Sequence, residues 1–442
     1  MNEMQELIYV KELIPTEIKR GSILNISTKE VTSFTHGFHK YPAKFIPQIP
    51  KWAIGKYING NEGRTILDPF CGSGTTLVEG LLANHNVIGI DIDPLSSLIS
   101  KTKVTPVNPK KLKEISDWLI RSIRNKKRGE FKPECETIDH WFSKDAINKL
   151  SIIRSLIDQI PEKFGNKKNI RDIQDLLIIC FSSIIRRVSN ADNESQKTYV
   201  SHTKIKEPEE TYSVFFSQLN LFIERITKFT KSINPKLKAE IICASSTELR
   251  KLKLKGNKFD LAVTSPPYIK AIDYIYNQMI ELFWVGDLFN LQTQTKQNQR
   301  KKEYIGTKHT HKIEFKDYTP YDNKLDINKL DDNLQEVFKM DKKNGHKHSF
   351  VTFKYFADME KHFAEMAKCI DKGIPYVMVV GNSSVSGIYF DTVDFLTQIA
   401  ERNGFRARNK WGYKIKNRYM RFDRKGRGGI IEIDWVLELI RE

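Results

Sequence analysis

Short apolar runs bounded by turn residues alternate with amphipathic stretches through the first hundred residues and again after residue 235, a rhythm of strands and helices. Residues 65–67, 87–90, 241–244, 259–263 and 374–380 read as buried strands, each too short to be a helix. A helix runs through Leu77, Val78 and Leu81, and further helices are expected at 355–370 and 392–403. Residues 411–420 and 430–437 read as a closing antiparallel pair. The turn between them, 421–429, holds glycines that fit a long hairpin, and three arginines and a lysine that suit a phosphate backbone equally well. Seven strands with a terminal pair predict a doubly wound, Rossmann-like α/β sheet.

The rhythm breaks twice. From 106 to 234 apolar residues recur at three-to-four spacing over 112–123, 146–160, 170–187 and 212–233, which predicts a helical insertion. From 287 to 349 the chain is rich in Gln, Asn, Lys and Asp. The expected organisation is therefore 1–105 as an N-terminal segment with the first half of the catalytic domain, 106–234 as the helical insertion, and 235–286 as the part bearing a second loop. A basic insertion, 287–349, and the C-terminal half of the sheet, 350–442, complete it. No internal repeat or low-complexity segment appears.

Two strand ends carry chemistry. The strand at 65–67 runs into Asp68-Pro69-Phe70-Cys71-Gly72-Ser73-Gly74-Thr75-Thr76 and then a helix, a strand, glycine turn and helix of the nucleotide-binding kind. The strand at 87–90 ends in Asp91-Ile92-Asp93-Pro94, which brings a carboxylate to the distance where ribose hydroxyls are bound. Leu77 stands where a dinucleotide fingerprint needs its third glycine, and no P-loop lysine follows. A cradle without a pyrophosphate grip suits a cofactor without phosphate, S-adenosylmethionine.

The run at 259–263 leads into Thr264-Ser265-Pro266-Pro267-Tyr268. An exocyclic amino group on a base is a poor nucleophile because its lone pair is delocalised into the ring. Two acceptors set against its N–H protons draw the nitrogen toward tetrahedral geometry as a methyl group arrives. The Ser265 hydroxyl and the Pro266 carbonyl can be those acceptors, and Pro267 holds Pro266 extended, so the carbonyl is aimed by a stiff turn. Tyr268 offers a stacking face. A bare Pro-rich turn after a strand is the bland reading of this pentapeptide alone; its pairing with the glycine loop and acidic strand end points to amino-group methylation.

On these motifs the chain resembles the S-adenosylmethionine-dependent amino-DNA methyltransferases of bacterial restriction–modification systems, of the cytosine-N4 type, whose catalytic motif carries serine rather than Asp or Asn. The stretch 34–50, Phe-Thr-His-Gly-Phe-His-Lys-Tyr-Pro-Ala-Lys-Phe-Ile-Pro-Gln-Ile-Pro, resembles the family's segment over the methionine end of the cofactor, and 271–274 and 303–307 resemble further stretches of such methylases. The resemblance implies that Asp68 anchors the glycine loop near the methionine amino group, that Pro69, Phe70, Gly72, Gly74 and Thr75 bring the backbone close to the cofactor, and that Asp91 takes the ribose. Asp93 is the alternative to Asp91, or a helix cap. Lys44 either approaches the methionine carboxylate or solvates its loop. Where the family often has an acid contacting the adenine amino group this chain has Ser245, a weaker acceptor. Catalysis falls to Ser265, Pro266, Pro267 and Tyr268, acting on a cytosine flipped out of duplex DNA. Adenine N6 is the alternative target, and a non-catalytic DNA-binding subunit on the same fold the alternative of another class.

Charge agrees with a polyanionic partner. Lys and Arg outnumber Asp and Glu by 72 to 54, a net +18 with a pI near 9.4 over 442 residues, which favours phosphate contacts and counterion release. Arg186 and Arg187 end one predicted helix and open a polar stretch reaching residue 210, either a solvated helix end or a DNA-facing segment. Arg300, Lys301, Lys302 and Lys308, with Tyr304 interleaved, form the basic run expected to touch double-stranded DNA. The five cysteines lack Cys-x-x-Cys spacing, and the histidine pairs at 309 and 311 or 346 and 348 have no acid or cysteine at ligand spacing, so no metal is expected. His36 and His39 read as shaping the loop over the cofactor. Without a signal-peptide pattern or a membrane-length apolar run, a cytoplasmic protein is expected, with any cognate restriction endonuclease encoded separately.

Overall fold

The structure, a computed structural model, describes residues 7–10, 13–27, 31–42, 44–193, 197–252, 254, 258–269, 273–340, 344–416 and 431–442. Nine strands form one sheet: β1 (Leu7–Val10), β2 (Ile23–Ile26), β3 (Thr65–Asp68), β4 (Asn86–Asp91), β5 (Ala239–Cys243), β6 (Leu261–Thr264), β7 (Pro375–Gly381) and, after a separate two-stranded ribbon of β8 (Ser383–Val385) and β9 (Ile388–Phe390), β10 (Phe405–Lys414) and β11 (Ile433–Arg441). Their order is β1-β2-β10-β11-β7-β6-β3-β4-β5, and every pairing is parallel except those of β11, which is antiparallel to both β7 and β10. This is a Rossmann-like, mostly parallel sheet with one antiparallel strand, β11.

Central strands are apolar throughout because helices cover both faces, as parallel sheets require. Alternate residues of β7 serve different cores: Val377 and Val379 pack with Ile66, Leu261 and Val263 on one face, whereas Tyr376, Met378 and Val380 pack with Leu67 and Ala262 on the other. The first core takes in the helices Gln48–Tyr57, Thr75–Leu82 and Pro94–Val104 and continues without a break into the helical insertion, where Leu112, Ile115, Leu119, Ile153, Leu177, Phe181 and Phe222 are buried. The insertion's helices, Pro109–Asn125, Lys144–Asp158, Lys168–Val188 and Thr211–Ser232, stand where the periodicity puts them. Asn108, with Pro109 behind it, and Ser143 supply side-chain N-caps.

Several elements differ from expectation, the β8–β9 ribbon among them. The strands β1 and β2 extend the sheet beyond β10 through the pairs Gly412↔Ile23 and Tyr413↔Leu24. β10 begins at Phe405, six residues earlier than the apolar pattern suggests, because Phe405, Trp411 and Tyr413 are buried on a strand whose register shifts between Ala407 and Asn409. The helix expected from 355 starts at Gly345 and runs to Cys369, so it claims the end of the basic segment. That segment is not a solvated loop. Tyr304 is buried in it, as are Leu325, Ile327, Leu330, Leu334 and Val337 on the helix Asn328–Met340 and its approach. The charged turn at 421–429, the end of its first strand at 417–420, residues 271 and 272 and the first six residues of the chain lie outside the described residues.

Among the described residues no helix is long and apolar enough to cross a membrane, and no group of three or more His, Cys, Asp and Glu could hold a metal ion.

Candidate functional site

Strand order reverses between β3 and β6: from β3 the chain steps outward through β4 to β5, and from β6 it steps the other way to β7. Parallel strands diverging at such a point leave a crevice at their C-terminal ends. There the glycine loop after β3, the acidic end of β4 and the loop after β6 face one cleft of about 730 Å³, open mouth included.

The glycine loop is held from below. Gly72 and Gly74 have φ of +48° and +78°, the left-handed region that favours glycine. Gly72 N–H donates to Asp91 Oδ2 at 2.8 Å, Ser100 Oγ donates to Gly72 O at 2.6 Å, and the buried Lys103 Nζ donates to Ser73 O at 2.7 Å. A Cβ on Gly72 would come within 3.1 Å of the Tyr41 ring.

Asp68 is fully buried at the end of β3. Its Oδ1 accepts from Thr264 Oγ1 at 2.6 Å and from Phe70 N–H at 3.2 Å. Its Oδ2 is buried without a well-placed hydrogen-bond partner, the nearby Thr76 hydroxyl being given to Val263 O at 3.3 Å. Burial pushes the Asp68 carboxyl up to about 6, against the lowering effect of the surrounding hydroxyls and N–H. Asp91 lines the cleft, and burial, with the Asp93 charge beside it, raises its carboxyl to about 7. Asp93 has a different job: Oδ1 caps the helix Pro94–Val104 through Ser96 N–H at 2.8 Å, and Oδ2 accepts from Tyr304 OH at 2.8 Å. Lys44 reaches the cleft while its Nζ donates to His36 O at 3.0 Å, and burial lowers its ammonium to about 8.

Of the residues marked in the sequence, Lys44, Pro69, Phe70, Gly72, Thr75, Asp91, Asp93, Ser245, Ser265 and Pro267 line the cleft together. Asp68 lies buried behind the loop, and Gly74 caps the start of the helix Thr75–Leu82. Ser245 is also an N-cap, its Oγ accepting from Thr247 N–H at 3.3 Å. Pro266 is buried between two lining residues, and Tyr268 stands to one side with its hydroxyl on Asp434 Oδ1 at 2.7 Å.

The residues expected at DNA divide. Lys308 is exposed and Lys302 half-buried, in contact with His311. Arg187 is ion-paired with Glu209 at 2.6 Å. Arg300 pairs with Glu303 and donates to Ile92 O at 2.7 Å. Three others are interior, contrary to expectation. Arg186, 9% exposed, spends its guanidinium on Thr198 Oγ1 and on the carbonyls of Asp192 and Asn277. Lys301, 8% exposed, bonds Asn298 Oδ1 and lies over the Tyr276 ring. Tyr304 is a wall of the cleft itself.

Sequence reasoning missed most of that wall. Tyr41, Tyr274 and Tyr304 form a run of stacked rings with centroids 5.7 and 6.4 Å apart, and Phe45, Ile92, Ser246 and Ile305 lie beside them, with Cys71 and Ser73 of the glycine loop completing the lining. Tyr41, Phe45, Tyr274 and Ile305 fall in the stretches singled out by resemblance, so a signal was present, but not which side chains face inward.

The donor set suits a cofactor with an amino-acid end and a ribose. Behind the loop, Asp68 Oδ2, without a well-placed donor, fits an ammonium group; in the cleft Lys44 fits a carboxylate and Asp91 vicinal hydroxyls, while the aromatic rings fit a purine.

A family model described as DNA methylase matches residues 14–102. The chain is similar to type II methyltransferase M.MvaI of Kocuria varians, 30% identical over 417 residues that span 90% of this chain and 87% of that protein. It is also similar to M.BsoBI of Geobacillus stearothermophilus, 26% identical over 57% of this chain and 52% of that protein, and to M.MjaII of Methanocaldococcus jannaschii, 44% identical over 90 residues, 20% and 17% of the two chains. Among solved structures, the rRNA methyltransferase aviRa from Streptomyces viridochromogenes aligns over 91% of this chain and 88% of that one, with a TM-score of 0.30 and 12% identity, too distant to carry an argument. The extent and identity of the first of these matches, joined to the sheet and the cleft, place the chain in the family of type II DNA methyltransferases, enzymes that draw the methyl group from S-adenosylmethionine.

Proposed function

We propose that this enzyme methylates the N4 amino group of cytosine in duplex DNA at a specific site. The observation that carries the reading is Ser265, which faces the same cleft as the glycine loop and Asp91 and stands where a carboxylate or amide would mark an adenine enzyme. S-adenosylmethionine, when bound, supplies an electrophilic methyl group. The chain's part is to bind, orient and withdraw protons. Asp91 accepts from the ribose hydroxyls, Asp68 Oδ2 from the methionine ammonium, and Lys44 faces the methionine carboxylate. At the other end, Ser265 Oγ and the Pro266 carbonyl accept the two amino protons of the flipped base, localising the nitrogen lone pair, and Tyr268 gives the base a stacking surface. The amino proton passes to water after transfer, so no dedicated base is needed. On the same reading, Arg187, Arg300, Lys302 and Lys308 remain the positions from which the helical insertion and the 287–349 segment reach phosphates.

The direct test is to incubate the protein with unmethylated DNA and S-adenosylmethionine, digest to nucleosides and identify the product by mass spectrometry. N4-methylcytosine is expected; N6-methyladenine would overturn the inference from Ser265, and the absence of any methylated base would contradict the catalytic reading. Removing one transition-state acceptor typically costs on the order of 10²–10³ in rate, so Ser265→Ala should lower turnover by about that factor and leave cofactor affinity unchanged. An equal fall in affinity would assign Ser265 to cofactor binding instead.

Ribose hydroxyls bind an ionised Asp91 best, and its carboxyl titrates at about 7 in the free protein. Binding should therefore lower that value, with affinity full above pH 7 and lost below it. Between pH 8 and pH 6 the affinity for S-adenosylmethionine should fall about tenfold, and calorimetry on Asp91→Asn should show that part of the slope removed. Identical slopes in the two proteins would move the ribose contact elsewhere.

A further inference from the structure

The hydroxyl of Tyr268 plays no part in stacking, since a phenylalanine ring would offer the same face. In the structure it donates to Asp434 Oδ1 at 2.7 Å, and the other carboxylate oxygen, Oδ2, accepts from Tyr413 OH at 3.2 Å. Asp434 lies on β11 directly opposite Gly381, the last residue of β7. That glycine leaves room for the ring: a Cβ at 381 would stand 3.2 Å from Tyr268 Cε2, 3.5 Å from Asp434 Oδ1 and 2.8 Å from Ile431 Cγ2. Two neighbouring strands thus make a slot, one by omitting a side chain and the other by catching the hydroxyl at the far end of the ring.

We propose that Asp434, steadied by Tyr413, is a positioning residue for methyl transfer: it fixes Tyr268 at the edge of the sheet before DNA arrives, so that the flipped base meets a stacking surface already in place. This rests on the reading of Tyr268 as the base platform. A tyrosine on a loop has two side-chain torsions to settle when a base lands on it, and a hydrogen bond at the distal oxygen settles both beforehand. The Asp434 carboxylate is the acceptor that the structure gives that hydroxyl, which is why the hydroxyl is assigned to holding the ring and not to moving a proton.

The test is a double-mutant cycle on the full-length protein, using unmethylated plasmid DNA of mixed sequence and tritiated S-adenosylmethionine. Turnover, the apparent KM for DNA, cofactor affinity and the thermal midpoint are measured for Tyr268→Phe, Asp434→Asn, the double variant and Tyr268→Ala. Tyr268→Phe and Asp434→Asn should each lower kcat/KM for DNA by about tenfold, the size of one lost hydrogen bond to a charged group, with cofactor affinity unchanged. The double variant should be no worse than either single one. Tyr268→Ala should fall much further, since it removes the ring. If the two single losses multiply in the double variant, or if Tyr268→Phe keeps full activity while Tyr268→Ala does not, the positioning role is wrong and the platform reading stands. If Tyr268→Ala keeps full activity, the platform reading itself fails. Tyr268→Phe leaves the carboxylate in place, so it decides the matter even if Asp434→Asn does not fold.

Discussion

The hydrogen bond from the Thr264 hydroxyl to Asp68 Oδ1, 2.6 Å long and fully buried, ties together the two loops that make the cleft. β3 and β6 are neighbours in register, with Ile66 opposite Leu261 and Leu67 opposite Ala262, so Asp68 and Thr264, their last residues, lie within one residue of the same level. The bond then joins the first residue of the glycine loop to the residue before Ser265. Breaking it would leave a buried carboxylate oxygen short of a donor, at a cost of about 1–3 kcal/mol, so neither loop can move far without the other. The spacing between the glycine loop and the loop that carries Ser265 is in this way set by the sheet.

The remaining polar links extend the same constraint outward. Gly72 hangs from Asp91, Ser73 from Lys103, and Tyr304 from Asp93, while Arg300 reaches the carbonyl of Ile92. The last two bring the 287–349 segment onto the acidic end of β4, where Tyr304 and Ile305 become part of the cleft wall. A segment that reads from composition as a basic appendage is structurally part of the wall of the cleft. Its exposed lysines, among them Lys308, Lys312, Lys324 and Lys329, are what it offers a polyanion.

How much of this could be read in advance follows from the physics of each element. The central strands are legible because burial on both faces demands apolar runs, and the helical insertion because one face of each helix must be apolar at helical spacing. That the glycine loop, Asp91 and Ser265 gather around one cleft is legible because each follows directly on a short apolar strand run. β1 and β2 are not: β2 is four residues long and paired with β10, nearly four hundred residues away. The basic residues mislead because charge says nothing of burial. Arg186 looks like a DNA contact until the carbonyl of Asn277, from a distant part of the chain, appears beside it. The aromatic wall is hidden for the same reason, since Tyr41, Tyr274 and Tyr304 come from three separate segments that only the fold assembles.

The measurement that tests the central claim most directly is made on Thr264→Val, which keeps the shape of the side chain and deletes its hydroxyl. Cofactor affinity by calorimetry and turnover on unmethylated DNA should both fall, each by about tenfold or more, because the glycine loop and the Ser265 loop lose their common anchor. If both stay within about twofold of the native enzyme, the range of a neutral substitution, the two loops are held independently and the account of the cleft is wrong.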